Sequence, residues 1–154
     1  MTKPFSLQPL VNLAQQRNEA ATKRLGQLNQ QKQTAQGKLD VLVQYRKDYQ
    51  DKFQEAVKSG MEPAELRNFQ EFIYRLDEAI TQQRQVAINA EHAVTHGREE
   101  LKAAQIKMKS FDALAQRHVE VGKRFEAKME QKAQDEHAGR QATYQKPHPE
   151  GELP

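Results

Sequence analysis

Cysteine and tryptophan are both absent from this 154-residue chain. Without cysteine no disulfide and no thiolate metal site can form, which fits a reducing compartment. Long apolar runs are missing as well: nothing approaches the roughly 18 consecutive apolar residues of a membrane span, which excludes direct membrane insertion. The opening Met1-Thr2-Lys3-Pro4-Phe5 lacks the apolar core of a secretion signal, so a cytoplasmic protein is expected. Aromatic residues are 6% and hydrophobic residues 36%, too few to fill a globular core in a chain whose length suits one domain. Nor is there a glycine-rich phosphate loop. Gly122-Lys123-Arg124 lacks both the upstream glycine and the following Ser or Thr.

Polar groups take up the difference. Charged residues make up 29% of the chain and glutamine adds 21 positions. The net charge of +3 is unevenly placed, with ten Lys/Arg against five Asp/Glu in residues 1–60, seven against nine in 61–115, and seven against seven in 116–154. A nucleic-acid binder would carry a denser basic stripe with interleaved aromatics, so no nucleic-acid partner is expected. The few apolar residues are not scattered as in a disordered chain. They are periodic.

Steps of seven from Leu7 run Leu7, Ala14, Ala21, Leu28, Ala35, Leu42, Tyr49 and Ala56, and every position is apolar or aromatic. The column four residues later, Val11, Asn18, Leu25, Lys32, Leu39, Arg46 and Phe53, is apolar at four of seven. A second set starts at Leu66 and continues through Ile73, Ile80, Ala87, Val94, Leu101, Met108, Ala115, Gly122 and Met129. Its companion column begins at Phe69 and Leu76 and passes through Gln83, Gly97, Phe111 and His118 to Phe125. A strand cannot carry this period. A 3.5-residue repeat held over so many turns means a left-handed coiled coil.

The ends of the segments are marked too. Ser6 can cap a first helix, with Pro9 inside the first turn where a missing N–H is harmless. Ser59-Gly60 can close it, and Pro63 with Glu62 and Glu65 suits the start of the next. So short a connection makes the helices antiparallel neighbours. The expected fold is all-α: a long two-helix antiparallel coiled coil, or helical hairpin, over residues 1–138, with helices at about 6–58 and 63–137. Residues 139–154, with Pro147, Pro149 and Pro154, read as a disordered tail. At 1.5 Å per residue the helices would be roughly 80 and 110 Å long. Partner positions should then sum to about 121, and helix two should overhang by some 20 residues beyond about 116. That overhang still carries Val119, Phe125 and Met129.

Catalysis has little to stand on, and no enzyme, cofactor or metal site is expected. His92 and His96 are four apart but fall at solvent-facing heptad positions without the glutamate of an H-E-x-x-H helix, and read as surface histidines. His118, in a seam column, reads as a tolerated polar core residue. Glu99-Glu100 and Glu126/Glu130 are solvated-face charges. A two-helix coil also offers no concave pocket. Binding is better supported. Tyr45, Phe72 and Ala79 lie beside the seam, and the pairing sum sets Tyr45 opposite Leu76, Tyr49 opposite Phe72, and Leu42 opposite Ala79. These six gather on one stretch of the hairpin, roughly 20–30 Å from the turn. Leu42, Tyr49 and Leu76 are seam positions, whereas Tyr45 and Phe72 are placed to anchor a protein partner.

These residues resemble the flagellar type III export protein FliJ family. The resemblance rests on Phe5-Ser6-Leu7 with Leu10 and Leu13-Ala14, and on Leu39, Leu42 and the Y-x-x-x-Y of Tyr45-Arg46-Lys47-Asp48-Tyr49. Beyond the turn it rests on Asn68-Phe69-Gln70-Glu71-Phe72-Ile73 with Leu76 and Ala79-Ile80, and it covers roughly residues 5–135. It implies a non-enzymatic component of the flagellar export apparatus that resembles the central stalk of rotary ATPases. The implied partners are a hexameric export ATPase ring, the cytoplasmic domain of the membrane export gate, and export chaperones. The implied location is the cytoplasmic face of the inner membrane, reached peripherally through the apparatus. The family's gate-contacting patch falls on Leu42, Tyr45, Tyr49, Phe72, Leu76 and Ala79, while Lys38 and Gln83 replace the Gln and His that members often carry beside it. Val119, Phe125 and Met129 would form the ATPase-binding end, each Å² of apolar surface contributing about 25 cal/mol once covered. The free protein is expected to be a monomer. The rival readings are a stalk from a virulence-type secretion system, a generic scaffold dimerising through the overhang, and a basic hairpin for nucleic acid.

Overall fold

All six prolines, at 4, 9, 63, 147, 149 and 154, stand outside the long stretches of good helix formers. The structure follows this punctuation. In the computed structural model, which describes residues 4–145, α1 spans Gln8–Lys58 and α2 spans Pro63–Gln145. The first intrahelical bonds run from Leu10 and Val11 to the Leu7 carbonyl, so Leu7 holds the cap position expected of Ser6. Pro9 explains the shift, since it has no N–H to offer the Phe5 carbonyl four residues back.

The turn forms as expected. Ser59 N–H donates to Glu55 O at 3.1 Å and Gly60 N–H to Val57 O at 3.2 Å. Gly60 has φ +88°, a left-handed conformation that a Cβ would strain. Leu66 N–H then donates to Glu62 O at 3.0 Å, which puts Glu62 at the cap and Pro63 in the first helical position.

At the other end α2 is longer than expected. Residues 139–145, assigned to a disordered tail, continue the helix, and residues 146–154 lie outside the described residues. Gly139 weakens a helix but does not stop one, and Thr143 Oγ1 bonds back to the Gly139 carbonyl at 2.9 Å.

Two compact units divide the chain. One is Ala14–Lys107; the other joins Met1–Leu13 to Met108–Pro154. Within Ala14–Lys107 the two helices run antiparallel, with Gln83 Nε2 donating to Ala35 O at 2.9 Å and Arg46 ion-paired to Asp77. Every member of the seam columns in this unit is buried or half-buried, and Ala14, Ala35, Leu76, Ile80 and Val94 are its buried apolar core. Polar seam positions are accommodated one by one. The carboxylate of Asp77 hydrogen-bonds the Arg46 guanidinium and raises its pKa further, an effect of the hydrogen bond first and of charge second. Asn18 differs: its Oδ1 is buried and has no hydrogen-bond partner among the described residues. Outside the seam, Gln36 to Asp40, Gln44 to Asp48 and Gln85 to Asn89 bond across one turn, which gives the glutamines a structural use.

In the second unit Val11 is buried, and the Phe5 and His118 rings meet at 5.3 Å. That contact corrects the expectation that residues beyond about 116 lack a partner in the chain. Burial stops at Gly122, and every residue from 123 to 144 is exposed.

The helices are in close contact at Gly97, where an added Cβ would lie 2.8 Å from Leu28 Cδ1 and 3.5 Å from Leu25 Cδ1. At Gly37 a Cβ would meet nothing within 4 Å. Gly37→Ala should therefore raise stability by about 0.5–1 kcal/mol through helix propensity alone. Gly97→Val should lower it by about 1–3 kcal/mol through overpacking. Urea melts of the two variants check this, and shifts of the same sign would show that the seam does not close at residue 97.

Candidate partner-binding surface

Tyr45 and Tyr49, four residues apart, lie along one face of α1, and Phe69 and Phe72, three apart, do the same on α2. The antiparallel pairing brings the two sets together. Tyr49 is the hub, with ring centroids 4.5 Å from Phe72, 4.9 Å from Phe69 and 6.4 Å from Tyr45. Tyr45 meets Phe72 edge-on at 6.2 Å with an interplanar angle of 77°, and Phe53 meets Phe69 at 5.5 Å. Tilted and edge-on arrangements at these separations are favourable beyond area alone.

Of the six expected residues, Tyr45, Tyr49 and Phe72 meet ring to ring, and the six do not have equal access to solvent. Tyr45 is 51% exposed at the edge of the cluster. Leu42, Tyr49, Phe72 and Ala79 are half-buried. Leu76 is 7% exposed and belongs to the seam, so it supports the patch from beneath and has almost no surface to present. Phe53 and Phe69, read from the sequence only as seam residues, complete a five-ring cluster. The signal was available, since their numbers satisfy the same pairing sum as Tyr49 and Phe72. Tyr74 stands apart, 64% exposed, with its phenol pKa raised by a hydrogen bond to Glu78 and by that carboxylate's charge.

In the second unit Val119, Phe125 and Met129 are all exposed, at 46%, 62% and 52%. They do not share one face. Phe125 and Met129 are one turn apart and align with Leu114 and Val121, while Val119 is rotated about 120° from Phe125 at 100° per residue. The apolar stripe is therefore Leu114, Val121, Phe125 and Met129. His92 and His96 stay on the surface of α2, with His96 Nε2 3.0 Å from Glu100 and Glu100 in turn 3.8 Å from Arg24 Nε. Among the described residues no helix is long and apolar enough to cross a membrane.

Fold and surface together define a class: a two-helix coiled coil that exposes aromatic and apolar groups beside its seam. A family model described as "Flagellar FliJ protein" matches residues 2–146. The chain is 27% identical over 142 residues to the flagellar FliJ protein of Escherichia coli (strain K12), covering 92% of this chain and 97% of that protein. It is 26% identical over the same length to the flagellar FliJ protein of Salmonella typhi, with the same coverage. No solved structure gives a significant match. The chain belongs to the flagellar FliJ family, and it is thereby a component of flagellar protein export.

The burial differences predict a graded series. Leu76→Ala should cost about 2–4 kcal/mol as a core truncation, and Tyr45→Ala under about 1 kcal/mol as an exposed one. Phe72→Ala, half-buried and touching two rings, should fall between them rather than with Tyr45. Thermal melts giving equal losses for Leu76→Ala and Tyr45→Ala would mean that the buried and exposed faces are reversed.

Proposed function

We propose that the chain serves flagellar export as a stalk-like connector with two working surfaces. The aromatic face around Tyr45, Tyr49 and Phe72 docks the cytoplasmic domain of the membrane export gate. The apolar stripe of Phe125 and Met129, with Val119 beside it, serves the hexameric export ATPase ring, and export chaperones are the third class of partner. In this reading the protein is held at the cytoplasmic face of the inner membrane by its partners.

The observation that carries the proposal is Tyr45. It lies against a five-ring cluster yet keeps half of its surface open, as expected of an anchor that a partner completes. Family membership supplies the setting, and the exposed stripe supplies a second surface in the other unit. In this reading the connector acts by binding.

A second reading is favoured by the same stripe. Val121 and Phe125, 63% and 62% exposed, could pair two copies into a scaffold dimer. Sedimentation at micromolar concentration separates the two, and the connector should run as a monomer.

The two surfaces should act independently and additively. Tyr45→Ala combined with Phe72→Ala should weaken capture of the gate's cytoplasmic domain and leave stimulation of the export ATPase largely intact. Phe125→Asp, or truncation after Ala115, should do the reverse. If either change abolished both activities in a protein still fully helical by circular dichroism, the two-surface connector would be wrong.

A further inference from the structure

The two flanks of α2 within Ala14–Lys107 differ in kind. On one flank, steps of seven read Asp77, Arg84, Glu91 and Arg98, alternating in charge. On the other they read Phe72, Ala79, Val86 and Ala93, all apolar. The α1 column facing that apolar row is Arg24, Gln31, Lys38, Tyr45 and Lys52. Two contacts and one shared groove establish the pairing. Tyr45 meets Phe72, Arg24 pairs with Glu100 one step beyond Ala93, and Lys38 and Gln31 border the same shallow groove as Val86. From Phe72 to Ala93 the two facing columns hold Lys38 and no carboxylate, and the Arg24–Glu100 ion pair closes the far end.

We propose that the docking surface does not end at the aromatic cluster but continues along this flank to Ala93, and that its occupant is an amphipathic α-helix of a partner protein with an acidic edge. The proposal rests on the reading of the Tyr45–Phe72 face as a docking surface and names what that face accepts. Apolar groups repeating every seven residues match another α-helix, whose own residues enter the spaces between them at the same period. The row is roughly 32 Å long at 1.5 Å per residue, enough for about six turns of a third helix. Val86 is 50% exposed, Phe72, Ala79 and Ala93 are half-buried, and the groove beside Val86 is floored by Ala35 and by Gln83 bonded to its carbonyl. Tyr45 caps one end as the aromatic anchor. Lys38, with Lys52 further out, sets the sign of the edge that fits. A second copy of this chain laid flank to flank would bring that basic column against itself.

The absence of cysteine makes a direct footprint possible. Single-cysteine variants of the full chain would be made at Phe72, Val86 and Ala93, and on the opposite flank at Arg84 and Arg98. Maleimide labelling rates would be measured alone and with the gate's cytoplasmic domain. The expected result is several-fold protection at Phe72, Val86 and Ala93 and none at Arg84 or Arg98. Lys38→Glu should weaken binding about tenfold, with a smaller loss at high salt. Protection at Phe72 alone would overturn the extension while leaving the gate reading intact. Absence of protection at all three sites would count against the gate reading. The flank is then tested with two designed 22-residue helical peptides that share a leucine heptad and differ in a Glu or a Lys edge. Preferential protection by the Glu peptide, reversed by Lys38→Glu, supports the proposal. Equal protection by both peptides, protection by neither, or protection that grows with the chain's own concentration overturns it.

Discussion

The seam is the constraint on which everything else in this protein depends. A helix in water has only one stripe on which to hide apolar side chains, and here the stripe can be covered only by the other helix. The seam is thin. Five buried apolar residues serve the whole Ala14–Lys107 unit, three of them alanine or valine. Small residues bring the helix axes together at Gly97, where Leu28 and Leu25 fill the space a side chain would take. Larger groups then have no room in the middle, so the aromatics beside the seam lie partly outside it. Tyr45 is exposed because of how narrow the core is, not because packing failed there.

The polar seam positions follow from the same constraint. Arg46 and Gln83 each reach the other helix with a hydrogen bond, so they hold register at some cost in burial. The flanks divide the remaining work. One is covered with alternating charges, which keep it solvated. The other carries the apolar row that starts at Phe72. The proposed docking face would give this asymmetry between the flanks a use.

Much of this was legible in the sequence. The heptad columns through Leu42, Tyr49, Leu76 and Val94 predicted which residues would be covered, because a 3.5-residue period leaves one face to bury. Pro63 and Gly60 marked the turn for local steric reasons that tertiary context rarely overrides. Antiparallel pairing brought Tyr45, Tyr49 and Phe72 to one stretch of the hairpin, while Phe53 and Phe69 went unremarked as members of the cluster. Other features were not accessible in that way. The extension of α2 past Gly139 depends on a balance between one weak helix former and its neighbours, which no single residue announces. The separation of Val119 from Phe125 needed rotation about the helix to be counted, not just apolar character. How far Leu76 sits beneath Tyr45 depends on the angle of each side chain, which a column of letters does not contain.

The four-residue connection at 59–62 has a mechanical consequence. Four residues reach at most ~14 Å fully extended, and crossing between packed helices already uses ~8–10 Å of that reach. Sliding one helix past the other by a single heptad requires ~10 Å of travel. Travel and crossing are perpendicular, so together they would need ~13–14 Å, the whole reach of the connection, with the Gly60 turn pulled straight. Near this turn the two helices therefore cannot creep along each other by a heptad without unmaking the turn, and an axial pull on one strand of the hairpin is handed across to the other at the same layer. Length and stiffness, set by one glycine and one proline, make this end of the hairpin a lever with a fixed fulcrum.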